Sequence, residues 1–209
     1  MAFALMGLGW ARSKQGAYSA AAALLEEAIT LFRHVGMKQL LAFASSLLAE
    51  VADAQGQDRQ AVALLEDSVT LFRDIGDTYG LAMALCILGT VVQTQGDVRH
   101  ATALHEESLA LRRALGDLYG ITECLEGLAE VAVAQQHLHQ AARLLGTAEA
   151  LRGELGAPLS PREQARVARH VSTVRTGLGA AAFGAAWAAG QTTALAHTST
   201  SNVACPKSP

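Results

Sequence analysis

Aromatic residues make up only 5% of this chain, and that scarcity already narrows the fold. Sheets fill their pleated surfaces with aromatic and β-branched side chains; alanine, abundant here, favours helices packed through small residues. Cysteine is scarcer still. Cys86, Cys124 and Cys205 are odd in number and form no CxxC, which points to a reduced, cytoplasmic protein with buried thiols. There is no GxxxxGK[ST], so no phosphate loop is encoded. The apolar opening "MAFALMGLGWA" lacks a basic leader and is cut short by Arg12 and Lys14, so it resembles neither a signal peptide nor a membrane span. Charge is thin, at 17% against 51% hydrophobic, so 209 residues bury a sizeable surface as one domain or one repeat array. The formal net charge of −3 conceals a contrast. Residues 1–156 hold 11 Lys/Arg against 18 Asp/Glu, whereas 157–209 hold 5 against 1. An acidic body argues against nucleic-acid binding, which needs a basic face for phosphates.

What the chain does have is repetition. "LFRHVG" at 31–36 returns as "LFRDIGDTYG" at 71–80, "LRRALGDLYG" at 111–120 and "LRGELG" at 151–156. Gly36, Gly76, Gly116 and Gly156 are spaced by 40 residues each time. Rows of 40 align further columns: Gly16, Gly56 and Gly96, with Gln136 as the exception; Ala21, Ala61, Ala101 and Ala141; Leu24, Leu64, Leu104 and Leu144; Leu31, Leu71, Leu111 and Leu151. Leu8, Leu48, Leu88 and Leu128 form another, each followed by a small residue, Gly9, Ala49, Gly89 or Ala129. A catalytic loop is not copied four times; a structural unit is, and a fixed period of this size marks a solenoid.

Each period predicts two helices, 78–95 and 98–115 in the third row. Gly96 suits a left-handed residue ending the first, and Asp97 suits the cap of the second. Gly76–Asp77 and Gly116–Asp117 repeat this stop-and-start joint between periods. The second helix is amphipathic, with Ala61, Leu64, Leu65, Val69 and Phe72 opposite Arg59, Glu66, Asp67 and Arg73. The first, as in "LAMALCILGTVV" at 81–92, is apolar nearly all round and reads as sandwiched between neighbours. The small residue after each column leucine predicts a close approach of two helix backbones. A lone hairpin cannot bury both faces, so stacking is required.

The columns Leu88, Gly89, Val92, Gly96 and Ala101 resemble the tetratricopeptide repeat, over residues 1–156. Two departures are the period of 40, longer than that family's usual one, and Arg113 where its closing proline would stand. Residues 141–190, with "AARLLGTAEALRGELGAPLSPREQARV" and "LGAAAFGAAWAAGQ", are similar to the C-terminal repeat regions of bacterial signalling ATPases and LuxR-type regulators. The resemblance implies an all-α, right-handed α-solenoid of four 40-residue hairpins with a C-terminal capping helix, doing protein-binding or effector-sensing work. ATPase and DNA-binding domains would lie upstream. The repeat rows are 1–36, 37–76, 77–116 and 117–156; capping helices occupy 157–190; a Ser/Thr-rich disordered tail runs over 191–209. Met1 falls inside the first helix of row one, so a fragment of a longer protein is expected.

Ser160-Pro161-Arg162-Glu163 reads as a helix start, with Ser160 as cap. Val167, Val171, Val174 and Leu178 then share a face that covers the last repeat, and a short helix at 180–189 clamps on through Phe183 and Trp187. Arg162, Arg166, Arg169 and His170 form a basic stripe, read as a solvated outer face, with an acidic partner as the sharper alternative. His137 and His139 form an HxH without further ligands and read as a polar turn. His105 stands in a leucine column and reads as a half-buried packing residue.

In the resembling repeats the first helices line a groove. Carried over, this gives Phe3, Met6 and Trp10; Phe43, Ser46, Glu50 and Asp53; Met83, Cys86, Thr90 and Gln93; and Glu123, Glu126 and Glu130. Each set keeps one helical stripe. The groove grades from apolar to acidic, and its carboxylates repel one another until a basic amphipathic helix, from a partner or from the same regulator, covers them. The expected function is a cytoplasmic protein-interaction or effector-sensing scaffold, with no catalytic, cofactor or metal residues, no nucleic acid and no membrane. An RNA-binding helical repeat is the alternative, and an enzyme a third; the former would want basic residues where Glu123, Glu126 and Glu130 stand.

Overall fold

The computed structural model describes residues 1–159 and 161–201, and every element in them is helical. Four hairpins come first: α1 (Ala2–Lys14) with α2 (Tyr18–His34), α3 (Lys38–Ala54) with α4 (Asp58–Ile75), α5 (Thr78–Thr94) with α6 (Val98–Leu115), and α7 (Leu118–Ala134) with α8 (Leu138–Leu155). Two further helices follow, α9 (Pro161–Leu178) and α10 (Ala180–Ser201). The chain divides into two compact units, 1–111 and 112–209, with the division inside α6.

The joints follow from local chemistry. Gly16, Gly36, Gly56, Gly76, Gly96, Gly116 and Gly156 all take a positive φ, and Gln136 takes it at φ 62° where glycine is missing. The next residue's N–H reaches back to a carbonyl five positions earlier, as in Asp77 to Phe72 at 3.0 Å and His137 to Ala132 at 2.8 Å. This bond closes orphaned helix-end carbonyls. Asp77, Asp97 and Asp117 then cap the following helices, accepting from the N–H of Gly80, His100 and Gly120 at 3.0, 3.0 and 2.9 Å. The predicted stop-and-start joint is present as drawn.

In residues 1–111 the core is built from repeated columns. Ala21, Ala61 and Ala101 are 0% exposed, as are Leu25, Leu65 and His105. The small column does not bring backbones together as expected. It receives a side chain from the second helix: a Cβ on Gly9 would lie 2.8 Å from Leu25 Cγ, and one on Gly89 would lie 2.9 Å from the His105 ring. His105 is therefore fully buried, not half-buried, because a residue without a side chain leaves room for its ring. Ser68 and Ser108 tie their hairpins further, donating to the carbonyls of Ala42 and Ala82 at 3.1 and 2.6 Å.

In residues 112–209 the core joins Ala129, Ala132, Ala141, Ala142 and Leu145 to Val174 of α9 and Phe183 and Ala186 of α10. Val167, Val171 and Leu178 pack against it, so the valine face of α9 lies where the pattern placed it. The cap expected from Ser160 lies outside the described residues. α10 departs from expectation. It continues through Ser201 where disorder from Gln191 was expected, and residues 202–209 of that tail lie outside the described residues. α10 packs chiefly on α8. Gly146 and Gly190 allow it: a Cβ on either would run into the backbone carbonyl of Trp187 or Arg143. The Thr147 hydroxyl bonds Gly190 O at 2.9 Å across this contact. A glycine–alanine stripe carries no amphipathic period, yet it permits backbones to touch.

Candidate partner-binding site

The first helix of each repeat carries a stripe at rows' positions 3 and 10, and its chemistry changes along the chain. Position 3 is Phe3, Phe43, Met83 and Glu123; position 10 is Trp10, Glu50, Thr90 and Glu130. In the first two hairpins position 3 faces position 32 of the second helix, Phe32 or Phe72; in the later rows position 32 is Arg112 and Arg152.

In residues 1–111 the partners are aromatic. Phe3 meets Phe32 edge-on at 5.6 Å, and Phe43 meets Phe72 at 4.9 Å. Phe32 and Phe72 are buried, whereas Phe43 is half-buried. Glu50 and Asp53 of α3, and Met83 and Thr90 of α5, are likewise half-buried. α3 and α5 are packed neighbours. The Thr90 hydroxyl turns inward to Cys86 O at 3.2 Å. Ser46 and Cys86, placed in the groove from sequence, are instead core residues at 0% and 7% exposure.

In residues 112–209 the acidic stripe is not an open surface. Glu126 is 3% exposed. It pairs with Arg152 of α8 and with Arg166 of α9, the latter at 3.3 Å. Glu130 meets Arg166 at 3.0 Å and His170 Nε2 at 3.5 Å. Glu123 meets Arg112 at 3.1 Å, and Arg112 also holds Asp117 at 2.8 Å. The expected mutual repulsion of these carboxylates is offset because each has a cation beside it. Two of those cations, Arg112 and Arg152, are the residues that replaced Phe32 and Phe72. A third, Arg166, comes from α9.

Burial leaves its mark on this cluster. It raises the Glu126 carboxyl above the usual range, against the pull of Arg152 and Arg166. Burial also lowers His170 below the ordinary histidine value, outweighing the attraction of Glu130. The basic stripe thus splits: Arg166 and His170 face α7, Arg169 is exposed, and Arg162 has no described side chain. Reading the whole stripe as solvated missed its inward half. The available signal was the matched spacing of Glu126 and Glu130 with Arg166 and His170, four residues apart in both pairs. His137 precedes α8, and His139 lies in its first turn. Among the described residues no group of three His, Cys, Asp or Glu is arranged to hold a metal, and no helix is long and apolar enough to cross a membrane.

Residues 40–114 match the sequence model of the tetratricopeptide repeat. No curated protein matches the chain. Among solved structures, BtubC (BKLC) from P. vanneervenii superposes with a TM-score of 0.69 at 18% identity, over 98% of this chain and 82% of that one. Nearly identical TPR-like repeats assigned to a kinesin light chain of Podosopora anserina give a TM-score of 0.64 at 19% identity, over 93% and 95%. At such identity the likeness establishes the fold, an all-α repeat array of solenoid type. Repeats of this kind generally serve as protein-interaction scaffolds.

Proposed function

We propose that the chain is a protein-interaction and effector-sensing scaffold, the C-terminal part of a bacterial signal-transduction or transcription regulator working in the cytoplasm. Its docking stripe is the face formed by Phe43, Glu50 and Asp53 on α3 and Met83 and Thr90 on α5. The partner is a basic amphipathic helix with apolar anchors for Phe43 and Met83. One observation carries this reading. α9, itself a helix with Arg166 and His170 on one face and valines beside them, already lies against Glu126 and Glu130 of α7. Glu130 and Glu50 occupy the same column, so α9 displays in row four how a first-helix stripe receives a basic helix.

The test uses a synthetic peptide of the α9 sequence, residues 161–178, titrated into the full-length chain. Saturable binding that weakens in Glu50→Lys, survives in Glu130→Gln and is absent for a scrambled peptide supports the α3–α5 stripe. Binding lost only in Glu130→Gln means that the peptide merely replaces α9, and no binding at all refutes the reading. The regulator context rests on the similarity of residues 141–190 to such proteins. It predicts further repeats and a nucleotide-binding domain in frame upstream in the genome.

A further inference from the structure

Residues 112–209 enclose a cavity of about 730 Å³ that none of the charge pairs above uses. Ligand cavities commonly span about 300–1,000 Å³, with an apolar lining and few polar groups. The floor here is Leu118, Ile121, Leu125 and Leu144. Its basic lining residues are Arg113, His139 and Arg143; no carboxylate lines it. Arg113 and Arg143 are exposed and make no ion pair among the described residues.

The polar groups are unevenly placed. His139 and Arg143 stand one turn apart in the N-terminal half of α8, where a helix end adds a favourable field for an anion. From His139 to Leu151, also in the lining, α8 rises about 18 Å. The cavity is thus a trough, with His139 and Arg143 on its α8 wall and leucine and isoleucine along its length. Arg113, in the last turn of α6, also lines the cavity.

From this arrangement we infer that the cavity binds a single-chain amphiphile with an anionic head. The carboxylate or phosphate head pairs with Arg143 and His139, and the apolar chain lies over Leu144, Leu125 and Ile121. A bare anion would leave the apolar floor wet, and a neutral chain would leave the arginine unanswered. The site stands independently of the α3–α5 stripe, whose failure would not affect it.

Calorimetric titration of the full-length chain tests this, with decanoate, decyl phosphate and decyltrimethylammonium, each below its micelle concentration. One equivalent of an anionic probe should bind, with the ammonium probe at least tenfold weaker. Comparing the two anions identifies the preferred head. Arg143→Glu, an exposed change, should weaken binding at least tenfold with melting unchanged. Thr193→Trp, at the α10 side of the cavity, should block entry without touching the charged groups. Equal binding of the ammonium probe, or full affinity in Arg143→Glu, overturns the inference. So does the absence of binding by both anions. If an acidic amphipathic peptide binds through Arg143 while both alkyl anions fail, the trough is a protein-docking site instead.

Discussion

Replacing Gln136 by glycine should stabilise this protein. Eight of the nine joints between the described helices place glycine at a positive φ; among them, the joint between α7 and α8 alone uses another residue, at φ 62°. A non-glycine residue in this conformation pays roughly 1–2 kcal/mol for the clash of its Cβ with the following carbonyl. Glycine removes that strain but adds unfolded-state freedom worth about 0.4–1 kcal/mol. The Gln136 side chain offers little in compensation, since its amide reaches only Val133 O, at 3.4 Å and exposed. The balance is a gain of about 0.5–1 kcal/mol. The backbone bond from His137 to Ala132 is unaffected, so the joint keeps its geometry. Urea denaturation should move the midpoint upward with an unchanged slope, followed by a signal from residues 112–209 such as Trp187 fluorescence. The converse change, Gly56→Gln at φ 73°, should lower stability by a comparable amount. If Gln136→Gly is neutral or destabilising while Gly56→Gln is costly, the left-handed strain at residue 136 is not what the φ angle implies.

Three further outcomes are expected. Gly89→Leu should cost roughly 1–3 kcal/mol in thermal or chemical unfolding, because the new side chain starts 2.9 Å from the buried His105 ring; an unchanged melt would discard the repeat register. Glu126→Gln should cost about 3 kcal/mol, since it leaves the largely buried Arg152 without its counter-charge while Arg166 keeps Glu130, and a neutral result in urea unfolding would show that solvent already screens Arg152. His170 has a folded pKa below its unfolded one, so its contribution is present above the unfolded value near 6.5 and is lost as pH falls through the folded value. Stability should therefore decline on acidification from pH 7 to 5 more steeply in the parent than in His170→Gln; parallel profiles would remove His170 from the α9 contact.

How much of this was legible in the sequence depends on the distance over which the information is written. The joints were legible because Gly76, Asp77 and their equivalents act on backbone groups within five residues. The valine face of α9 was legible because periodicity is local too. The site was not, because Arg152 lies 26 residues from Glu126 and Arg166 lies 40. Projected from the resemblance, Glu123, Glu126 and Glu130 looked like an open acidic groove. The correcting signal sat in two columns read together: Phe32 and Phe72 give way to Arg112 and Arg152 as Phe43 gives way to Glu123. The length of α10 was hidden for another reason. Its alanines and glycines have high packing value against α8 and no amphipathic rhythm, so a search for periodicity passes over them.

The paired columns also explain why α9 belongs with α7. Where phenylalanine meets phenylalanine, as at Phe43 and Phe72, a hairpin satisfies its own inner contact by burying apolar surface. Where arginine meets glutamate, burial is tolerable only if every charge finds an opposite one, because a buried ion without a partner costs several kcal/mol. Arg152 alone does not suffice for row four, which holds Glu126 and Glu130 one turn apart. Arg166 serves both carboxylates, and His170 adds to the second. α9 is therefore the counter-charge that lets α7 bury its acidic stripe, as well as a cover for the last apolar face. The same logic leaves the α3–α5 stripe different in kind. There Phe43 meets the aromatic ring of Phe72 where Glu123 meets Arg112.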